Sequence, residues 1–531
     1  MSAPARPARG RAAWLPGARC GAGGGALLLA ALALAIFLGR QTAGGLRSFD
    51  DAYYAQKAVE QLAAGGSWVS THGGQARYDN PPLHLWATAL LYRAFGVSRF
   101  TAVLATGLAA TGTVLLTYAF GRRLLGGAGG RGGPGGRGGA GGAGGSGGRG
   151  ESAFAGPALT AGLVLVLPGF FMDYARRGML DQTLVFFFTA GLAALWQAEA
   201  GAPGPRIPGA GGWRRALWLV AFGLALGGAL LTKSVIGGLL LPVALLWLVA
   251  AGRRPARGFW LASALGLGLF AVWVWRNAQH GGAGFWEEHF GWLILGRAAH
   301  DPGEPAPWFW LGYLKRLGGN FWPWLPLALF GGWLAWRAWR RERSAAGALL
   351  LIWVLLPLAV MSLTRNQFLR YILNIFPALA LLAAWGLARL LAPRGWLGRA
   401  NAGLALLALA TAAVINLTDY APRGAVGLAP QSAEVVALAP AIRAGTPPGA
   451  TLLNFRLGTW DPRNALRFHA ERWLADPIAD LQAFTDSLLC EPGRGLLTSA
   501  AGAALLDSVA PGLLIERGRA GNLVYAVGAG D

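Results

Sequence analysis

Charged residues and cysteines are both scarce in this chain. Only 13% of its 531 residues are charged, whereas 54% are hydrophobic, and a soluble protein usually carries about 25% charged residues. Long apolar runs accompany the deficit, so the soluble globular class is excluded. The composition predicts a polytopic membrane protein whose first partner is the lipid bilayer.

The chain has two cysteines, Cys20 and Cys490. They lie far apart, have no spacing typical of a metal site, and fall on opposite sides of the membrane in the topology predicted below. We therefore expect no disulfide between them.

The basic residues are numerous, but their positions argue against nucleic acid as a partner. The net charge is +22, and all but three of the basic residues are arginines. These arginines lie mainly in short loops between apolar runs, which is the positive-inside pattern of membrane proteins. We interpret the charge as a determinant of topology.

Apolar runs of nearly membrane-spanning length recur along the chain. A span needs about 20 residues and must be helical in lipid, so the sequence predicts a mainly α fold of about 11 spans, with a range of about 10 to 13. The predicted spans cover 24–39, 99–121, 155–172, 182–199, 213–232, 234–251, 258–277, 321–337, 346–363, 371–392 and 402–419.

Loop arginines predict the orientation and the division of the chain. The basic N-terminus 1–23 and the Gly/Arg linker within 122–150 should be cytoplasmic. Residues 24–419 then form the transmembrane domain, with external loops at 40–98 and 278–320. The apolar stretch Pro81–Gly96 is short and contains His84 and Arg93, so we expect an interfacial or re-entrant helix there.

The character of the sequence changes after residue 420. Short apolar runs such as Ala450–Phe455 and Gly495–Ser499 alternate with the helical stretch Ile478–Leu489. This pattern predicts a small α/β domain at 420–531, on the external face by topology.

Three acidic residues stand beside apolar runs on the predicted external face. Asp50 and Asp51 follow the first span, and Asp181 precedes the fourth. Ionisable groups at a membrane boundary are costly and usually functional, so Asp50 is the candidate general base. The alternative is that these residues cap the helices that begin beside them. Asp51 is expected to be a cap or a supporting group.

Basic residues form a second external group: Lys233, Arg297, Arg365 and Arg370, with Tyr371 beside the last. Phosphate recognition requires cations, and arginine offers bidentate bonds. The alternative is that the basic side chains reach up to the lipid headgroups.

A divalent metal is a further hypothesis, although no cofactor is required. Asp79, His289 and His300 are oxygen and nitrogen donors in the external loops. Their spacing is not that of a known metal motif, and a single histidine is more often an ordinary hydrogen-bonded residue.

Several segments, in order, resemble one family. Phe49–Ala55 and Tyr78–Leu83 are similar to the "DE-x-x-Y-A … E-K-P-P-L" pattern of bacterial polyprenyl-phosphate-sugar glycosyltransferases, which include aminoarabinose transferases and protein O-mannosyltransferases of the GT-C fold. Arg176–Asp181 resembles their second acidic motif. Gly223–Gly238 and Thr364–Pro377 resemble their "G-L-A-x-L-T-K-G-P-V-G" and "S-K-x-K-L-P-x-Y-I-L-P-x-x-P" segments.

The resemblance implies a membrane enzyme of the cell envelope. Its donor would be a sugar on undecaprenyl phosphate, and its acceptor a hydroxyl of a lipid, glycan or protein. Asp50 would activate the acceptor, Asp181, Asp51, Tyr54 and Asp79 would support it, and the basic residues would stabilise the leaving phosphate. Asn80 stands where many members carry lysine.

Two other functions compete with transfer. A transporter or flippase of lipid-linked sugars should show internal repeats and polar groups at the membrane midplane, whereas the acidic residues here lie at one boundary. A non-catalytic sensor or scaffold built on 420–531 would leave the group Asp50, Asp181 and Lys233 unexplained.

Overall fold

A computed structural model describes most of the chain. The described residues are 22–41, 46, 49–125, 156–200, 212–296, 299, 311–365, 367–418, 430–458, 461–491 and 493–529. The basic N-terminus 1–21 and the Gly/Arg linker 126–155 lie outside them.

Every span predicted from the sequence overlaps a helix of the structure. These helices are Ala22–Leu38, Arg99–Leu124, the bent pair Pro157–Val166 and Gly169–Ala175, Asp181–Ala200, Gly212–Leu230, the pair Ser234–Gly238 and Leu240–Ala250, Arg257–Gly281, Leu325–Glu342, Ala345–Ser362, the 3₁₀ turn Leu369–Ile375 with Phe376–Leu391, and Leu397–Leu417. Shorter helical segments are Ala283–Phe285, the π-helical Trp286–Gly296, Gly312–Asn320 and Ala392–Arg394.

Five of these helical segments are long and apolar enough to cross a membrane, and the pair bent by 68° would make a sixth. The others are shorter or more polar than a full span. The protein is thus a helical membrane protein, and the finer count of about 11 remains a prediction.

Glycines allow close approach between neighbouring helices. A Cβ on Gly223 would collide with the carbonyl oxygen of Ala262, and a Cβ on Gly266 would lie 2.6 Å from the carbonyl oxygen of Gly223. Small residues at such crossings let backbones pack without side chains between them, which is how helices associate in lipid. The helices Gly212–Leu230 and Arg257–Gly281 are held together in this way.

The segment between the first two long helices is structured. It contains the helix Phe49–Ala63, named here the acidic helix, a hairpin of Ser70–His72 and Gln75–Arg77, and the helix Leu83–Phe95. The last of these is the short helix predicted at Pro81–Gly96. Ser98 and Thr101 form a capping box that starts the next helix.

The C-terminal region contains a five-stranded mixed sheet. The strand order is Trp473–Leu474, Thr451–Phe455, Gly495–Ser499, Leu523–Gly528 and Leu514–Ala520, in which the first three strands run parallel and the last two pairings are antiparallel. The helices Pro430–Gly445, Asp461–Ala470, Leu481–Cys490 and Ala500–Val509 accompany it. Two separate apolar clusters form its core.

This C-terminal region contacts the segment that carries the acidic helix. Phe468 packs against the cluster that contains Ala52 and Ala55. The backbone N–H of Leu46 donates to Nε2 of His469 at 3.1 Å. A Cβ on Gly73 would lie 2.8 Å from the ring of Trp473, so the hairpin turn and the sheet are in direct contact.

Candidate active site

Asp50 and Arg370 form an ion pair between two segments that are 320 residues apart in the sequence. Nη1 of Arg370 lies 2.6 Å from Oδ2 of Asp50, and their side chains are 16% and 24% exposed. Asp50 lies in the first turn of the acidic helix, where the dipole stabilises a carboxylate. Arg370 lies in the 3₁₀ turn Leu369–Ile375, so a kinked entry into the following helix places its guanidinium.

Asp181 and Lys233 form a second pair of the same kind. Nζ of Lys233 lies 2.6 Å from Oδ1 of Asp181, whose side chain is 1% exposed. Asp181 is the first residue of the helix Asp181–Ala200, and Lys233 stands at the break before Ser234–Gly238. Oδ2 of Asp181 is buried and has no hydrogen-bond partner among the described residues.

The ring of Tyr371 lies against both cations. Nζ of Lys233 is 4.9 Å from the ring centroid, and the guanidinium carbon of Arg370 is 5.7 Å from it. A cation close to an aromatic ring is stabilised by the ring quadrupole. Tyr371 therefore keeps the side chains of Lys233 and Arg370 close to each other.

Asp51, the neighbour of Asp50, pairs with a different arginine. Arg177 donates from Nε to Oδ1 of Asp51 at 3.1 Å and lies 3.8 Å from Asp173. Burial lowers the pKa of Arg177, but Asp51, Tyr174 and Asp173 outweigh burial and raise that pKa. The interaction ties the acidic helix to the turn before Asp181.

Asp79 is held by a buried lysine. Nζ of Lys57 lies 2.5 Å from Oδ1 of Asp79, and Asn80 donates to Oδ2 at 2.9 Å. Burial raises the pKa of Asp79, but Lys57 and hydrogen bonds from Tyr53 and Asn80 outweigh it, and the pKa is lowered. Asn80 also donates to the hydroxyl of Tyr54 at 3.3 Å.

Several of these groups line one cavity of about 170 Å³. The predicted site residues in its wall are Tyr54, Asp79, Asp181, Lys233, Arg370 and Tyr371, and the apolar part of the wall includes Met179, Ile236, Leu293, Ile294, Val360 and Met361. Asp50 reaches this site through its bond to Arg370. Mixed acidic, basic and apolar walls suit an amphiphilic substrate with an anionic head.

Of the predicted basic residues that the structure describes, Arg365 does not contribute to the cavity wall. Arg365 is exposed, and Arg297 lies outside the described residues.

The metal hypothesis gains no support from His289. Its Nδ1 lies 2.7 Å from the carbonyl oxygen of Tyr78, and its Nε2 lies 3.0 Å from Oγ of Ser234, so both nitrogens are engaged. Over the described part of the chain, no group of three His, Cys, Asp or Glu is arranged for a metal ion. His300 falls outside that part.

A row of neighbouring aromatic side chains next to the site was not predicted from the sequence. The ring of Tyr53 lies 4.7 Å from that of His72, which in turn lies 6.0 Å from that of Trp473. Because Tyr53 hydrogen-bonds to Asp79, the C-terminal sheet is linked to the cavity wall. Trp473 lies about 400 residues from Tyr53, and the sequence carries no local signal for this contact.

Known proteins resemble the chain in sequence. Residues 155–279 match the dolichyl-phosphate-mannose-protein mannosyltransferase family. An undecaprenyl phosphate-alpha-4-amino-4-deoxy-L-arabinose arabinosyl transferase of Pseudomonas aeruginosa is 31% identical over 394 residues, covering 70% of this chain and 62% of the relative. A Pseudomonas fluorescens protein of the same description is 30% identical and covers 72% and 64%. The chain thus spans less than two thirds of these curated relatives.

Solved structures resemble it in fold. ArnT from Cupriavidus metallidurans, bound to undecaprenyl phosphate, superposes with a TM-score of 0.68 at 19% identity over 95% of this chain and 99% of ArnT. The Archaeoglobus fulgidus oligosaccharyltransferase AglB, in complex with an inhibitory peptide and a dolichol-phosphate, gives 0.55 at 13% identity over 85% and 64%. The resemblance predicted from the motifs is confirmed: the chain has the GT-C fold and is related in sequence to the polyprenyl-phosphate-sugar glycosyltransferases.

Proposed function

We propose that this protein transfers a sugar from a polyprenyl-phosphate donor to a hydroxyl acceptor. The observation that carries the proposal is the pairing of each acidic candidate with a cation, Asp50 with Arg370 and Asp181 with Lys233. Three of these four residues line one cavity. The names of its relatives and the lipid phosphate bound to ArnT support undecaprenyl phosphate as the carrier.

Asp50 acts as the general base in this proposal. Its carboxylate takes the proton of the acceptor hydroxyl, whose oxygen forms a bond to the anomeric carbon of the sugar. The bond from that carbon to the phosphate oxygen breaks at the same time, with inversion, and its electron pair leaves on the polyprenyl phosphate. A well-placed general base contributes about 10²–10⁴-fold to a rate.

Arg370 and Lys233 stabilise the departing phosphate. Both cations lie against Tyr371, so they present their charge to the cavity from a fixed position. Preorganised cations in a site that excludes water stabilise developing negative charge without reorganisation during the reaction.

Asp181 binds the polar part of the substrate. One of its oxygens is held by Lys233, and the buried second oxygen lacks a hydrogen-bond donor among the described residues. A buried acceptor without a donor is costly, and a sugar hydroxyl or ammonium would supply the donor. Tyr54 and the pair Asp79–Lys57 shape the same wall.

The proposal includes the placement of the protein. It is a multi-pass protein of the bacterial inner membrane with about 11 spans, a cytoplasmic N-terminus and an external C-terminal α/β domain at 420–531. The site then opens to the outer leaflet, where lipid-linked sugars and their acceptors meet.

The test is sugar transfer in membranes that contain, at equal levels, the wild type, Asp50→Asn or the control Asp507→Asn, whose side chain is exposed on the helix Ala500–Val509. A panel of polyprenyl-phosphate sugars is supplied, and lipid, glycan and protein fractions are analysed by mass spectrometry. We expect a sugar on one fraction with the wild type and the control, and none with Asp50→Asn. Transfer by Asp50→Asn at the wild-type rate would overturn the role of Asp50, and no transfer from any donor would overturn the function.

A further inference from the structure

A second cavity lies at the other end of the helical domain. This groove has a volume of about 550 Å³ and is named here the arginine groove. Its walls come from three helices, Arg99–Leu124, Asp181–Ala200 and Gly212–Leu230. The lining residues are Leu116, Ala119, Phe120, Arg122, Arg123, Ala190, Ala193, Ala194, Gln197, Trp218 and Ala221.

The arginine groove and the candidate active site are about one hydrocarbon thickness apart. Ala102 lies beside Gly178, just before Asp181, and Arg122 follows it by about 20 residues in one helix. At about 1.5 Å per residue this is about 30 Å, the thickness of a bilayer core. Asp181 and Gln197 stand at opposite ends of their helix in the same way. The groove therefore opens at the opposite membrane surface.

Its chemistry is divided between an apolar floor and a cationic rim. The apolar lining, named here the floor, consists of Leu116, Phe120 and five alanines with the polar Gln197 among them, and the exposed Trp218 also lines the groove. Arg122 and Arg123 are exposed at the end of their helix, and the guanidinium of Arg122 lies 5.9 Å from the ring centroid of Tyr118. Arginine binds phosphate oxygens in bidentate fashion.

The protein's own carboxylates do not neutralise this rim within the described residues. Glu199, at the end of the helix Asp181–Ala200, is already bonded by Arg215 at 2.6 Å and by Arg253 at 3.5 Å. Salt bridges to Arg122 or Arg123 do not occur between described residues. The linker 126–155 that follows them contains three arginines and one acidic residue, Glu151, so its net charge has the same sign.

We propose that the arginine groove binds one anionic phospholipid from the leaflet opposite the candidate active site. Arg122 and Arg123 hold the phosphate, and an acyl chain lies along the alanine floor against Trp218. Basic pockets between membrane helices are suited to anionic headgroups, and the apolar floor selects a lipid over a soluble phosphate.

The proposal is tested by native mass spectrometry of the full chain in detergent, titrated with phosphatidylglycerol or phosphatidylcholine. We expect one tightly bound phosphatidylglycerol, and binding about 30-fold weaker in Arg122→Gln/Arg123→Gln. Arg122→Lys/Arg123→Lys should retain most of the preference for the anionic lipid. The matched control Arg254→Gln/Arg257→Gln, which removes two exposed arginines outside the groove, should bind like the wild type.

A second variant tests the floor without changing the charge. Ala193→Leu fills part of the groove, and we expect it to weaken phosphatidylglycerol binding while the thermal midpoint of unfolding stays near that of the wild type. The proposal is overturned if phosphatidylcholine binds as tightly as phosphatidylglycerol, or if Arg122→Gln/Arg123→Gln binds like the wild type. It is also overturned if the matched control loses as much affinity as Arg122→Gln/Arg123→Gln.

Discussion

Arg370 donates a hydrogen bond from Nη1 to Oδ2 of Asp50 at 2.6 Å, across 320 residues of sequence. This contact places the proposed base beside a cation of the proposed phosphate site. The acceptor hydroxyl would approach Asp50 and the leaving phosphate would approach Arg370, on opposite faces of the anomeric carbon. The Asp50–Arg370 pair is therefore the structural centre of the proposed reaction.

Removing the charge of Arg370 should slow transfer more than it weakens folding. In Arg370→Gln we expect a fall of about 10²–10³-fold in kcat/KM for the polyprenyl-phosphate sugar, since one donor to developing charge is lost. Arg370→Lys keeps the charge and should recover part of the rate. Steady-state transfer with purified protein measures both.

The contradicting result would be a normal rate in Arg370→Gln with equal amounts of folded protein. Arg365→Gln is the matched control, because Arg365 is exposed and lies outside the cavity wall. It should transfer at nearly the wild-type rate.

Asp181 and Lys233 should behave as a coupled pair. Their contact at 2.6 Å is largely buried, and removing one partner leaves a buried charge unpaired. Asp181→Asn and Lys233→Gln should each lower stability, and the double variant should lower it by about 0.5–3 kcal/mol less than the sum. Thermal unfolding of the four proteins in one detergent measures the cycle.

Additive effects of the two substitutions would show that the contact contributes nothing to folding. Transfer activity is measured separately. Asp181→Asn should abolish most transfer even where the protein is folded, because the second carboxylate oxygen of Asp181 is the proposed hydrogen-bond acceptor for the substrate.

Sequence reasoning predicted the helices and named several of the acidic and basic residues that the structure places around the cavity. The short apolar runs Ala450–Phe455 and Gly495–Ser499, from which an α/β pattern was predicted, coincide with the strands Thr451–Phe455 and Gly495–Ser499. These succeed because apolar periodicity and turn residues are local signals. Asp181, Lys233 and Arg370 were found because charges beside spans are rare.

The partners of these residues could not be predicted in the same way. Lys57 on the acidic helix neutralises Asp79, and Arg177 bonds Asp51. Both contacts depend on how helices pack, and a single sequence carries no record of that packing. The contact of Trp473 with the hairpin depends in addition on the docking of the C-terminal region.

Trp473 should affect transfer from outside the cavity wall. Its ring packs on His72, and His72 on Tyr53, which hydrogen-bonds to Asp79. In Trp473→Ala we expect kcat/KM to fall about 2- to 13-fold, corresponding to about 0.5–1.5 kcal/mol for lost aromatic contacts, and Trp473→Phe should restore most of it. Transfer assays on both variants measure this.

If Trp473 contributed to folding alone, Trp473→Ala would lower the yield of folded protein and leave the transfer rate of that protein unaltered. The assays are therefore normalised to folded protein. Equal rates for Trp473→Ala and the wild type after that normalisation would contradict the link between the sheet and the site.

Acid should loosen the contact between the C-terminal region and the first external segment. Burial, with Arg99 and Arg443 nearby, lowers the pKa of His469 to about 4, against about 6.5 in an unfolded chain. The neutral imidazole of His469 is favoured in the folded state. Its contribution to the free energy of unfolding is therefore full above pH 6.5 and is lost as the pH falls towards 4. His72, whose pKa burial also lowers to about 4, acts in the same direction.

Hydrogen exchange of the segments around Leu46 and Trp473 should therefore become faster between pH 6.5 and 4, after correction for the intrinsic rate. His469→Gln keeps a hydrogen-bond acceptor for Leu46 without the titration, so its pH dependence should be smaller. The same pH dependence in this variant would show that His469 has no part in it.

The most direct measurement is single-turnover transfer by purified wild type, Asp50→Asn and Asp507→Asn, with a labelled polyprenyl-phosphate sugar identified by the donor panel. We predict that Asp50→Asn binds the donor but transfers its sugar about 10²–10⁴-fold more slowly, while Asp507→Asn matches the wild type. Transfer by folded Asp50→Asn at the wild-type rate would contradict the assignment of Asp50 as the base.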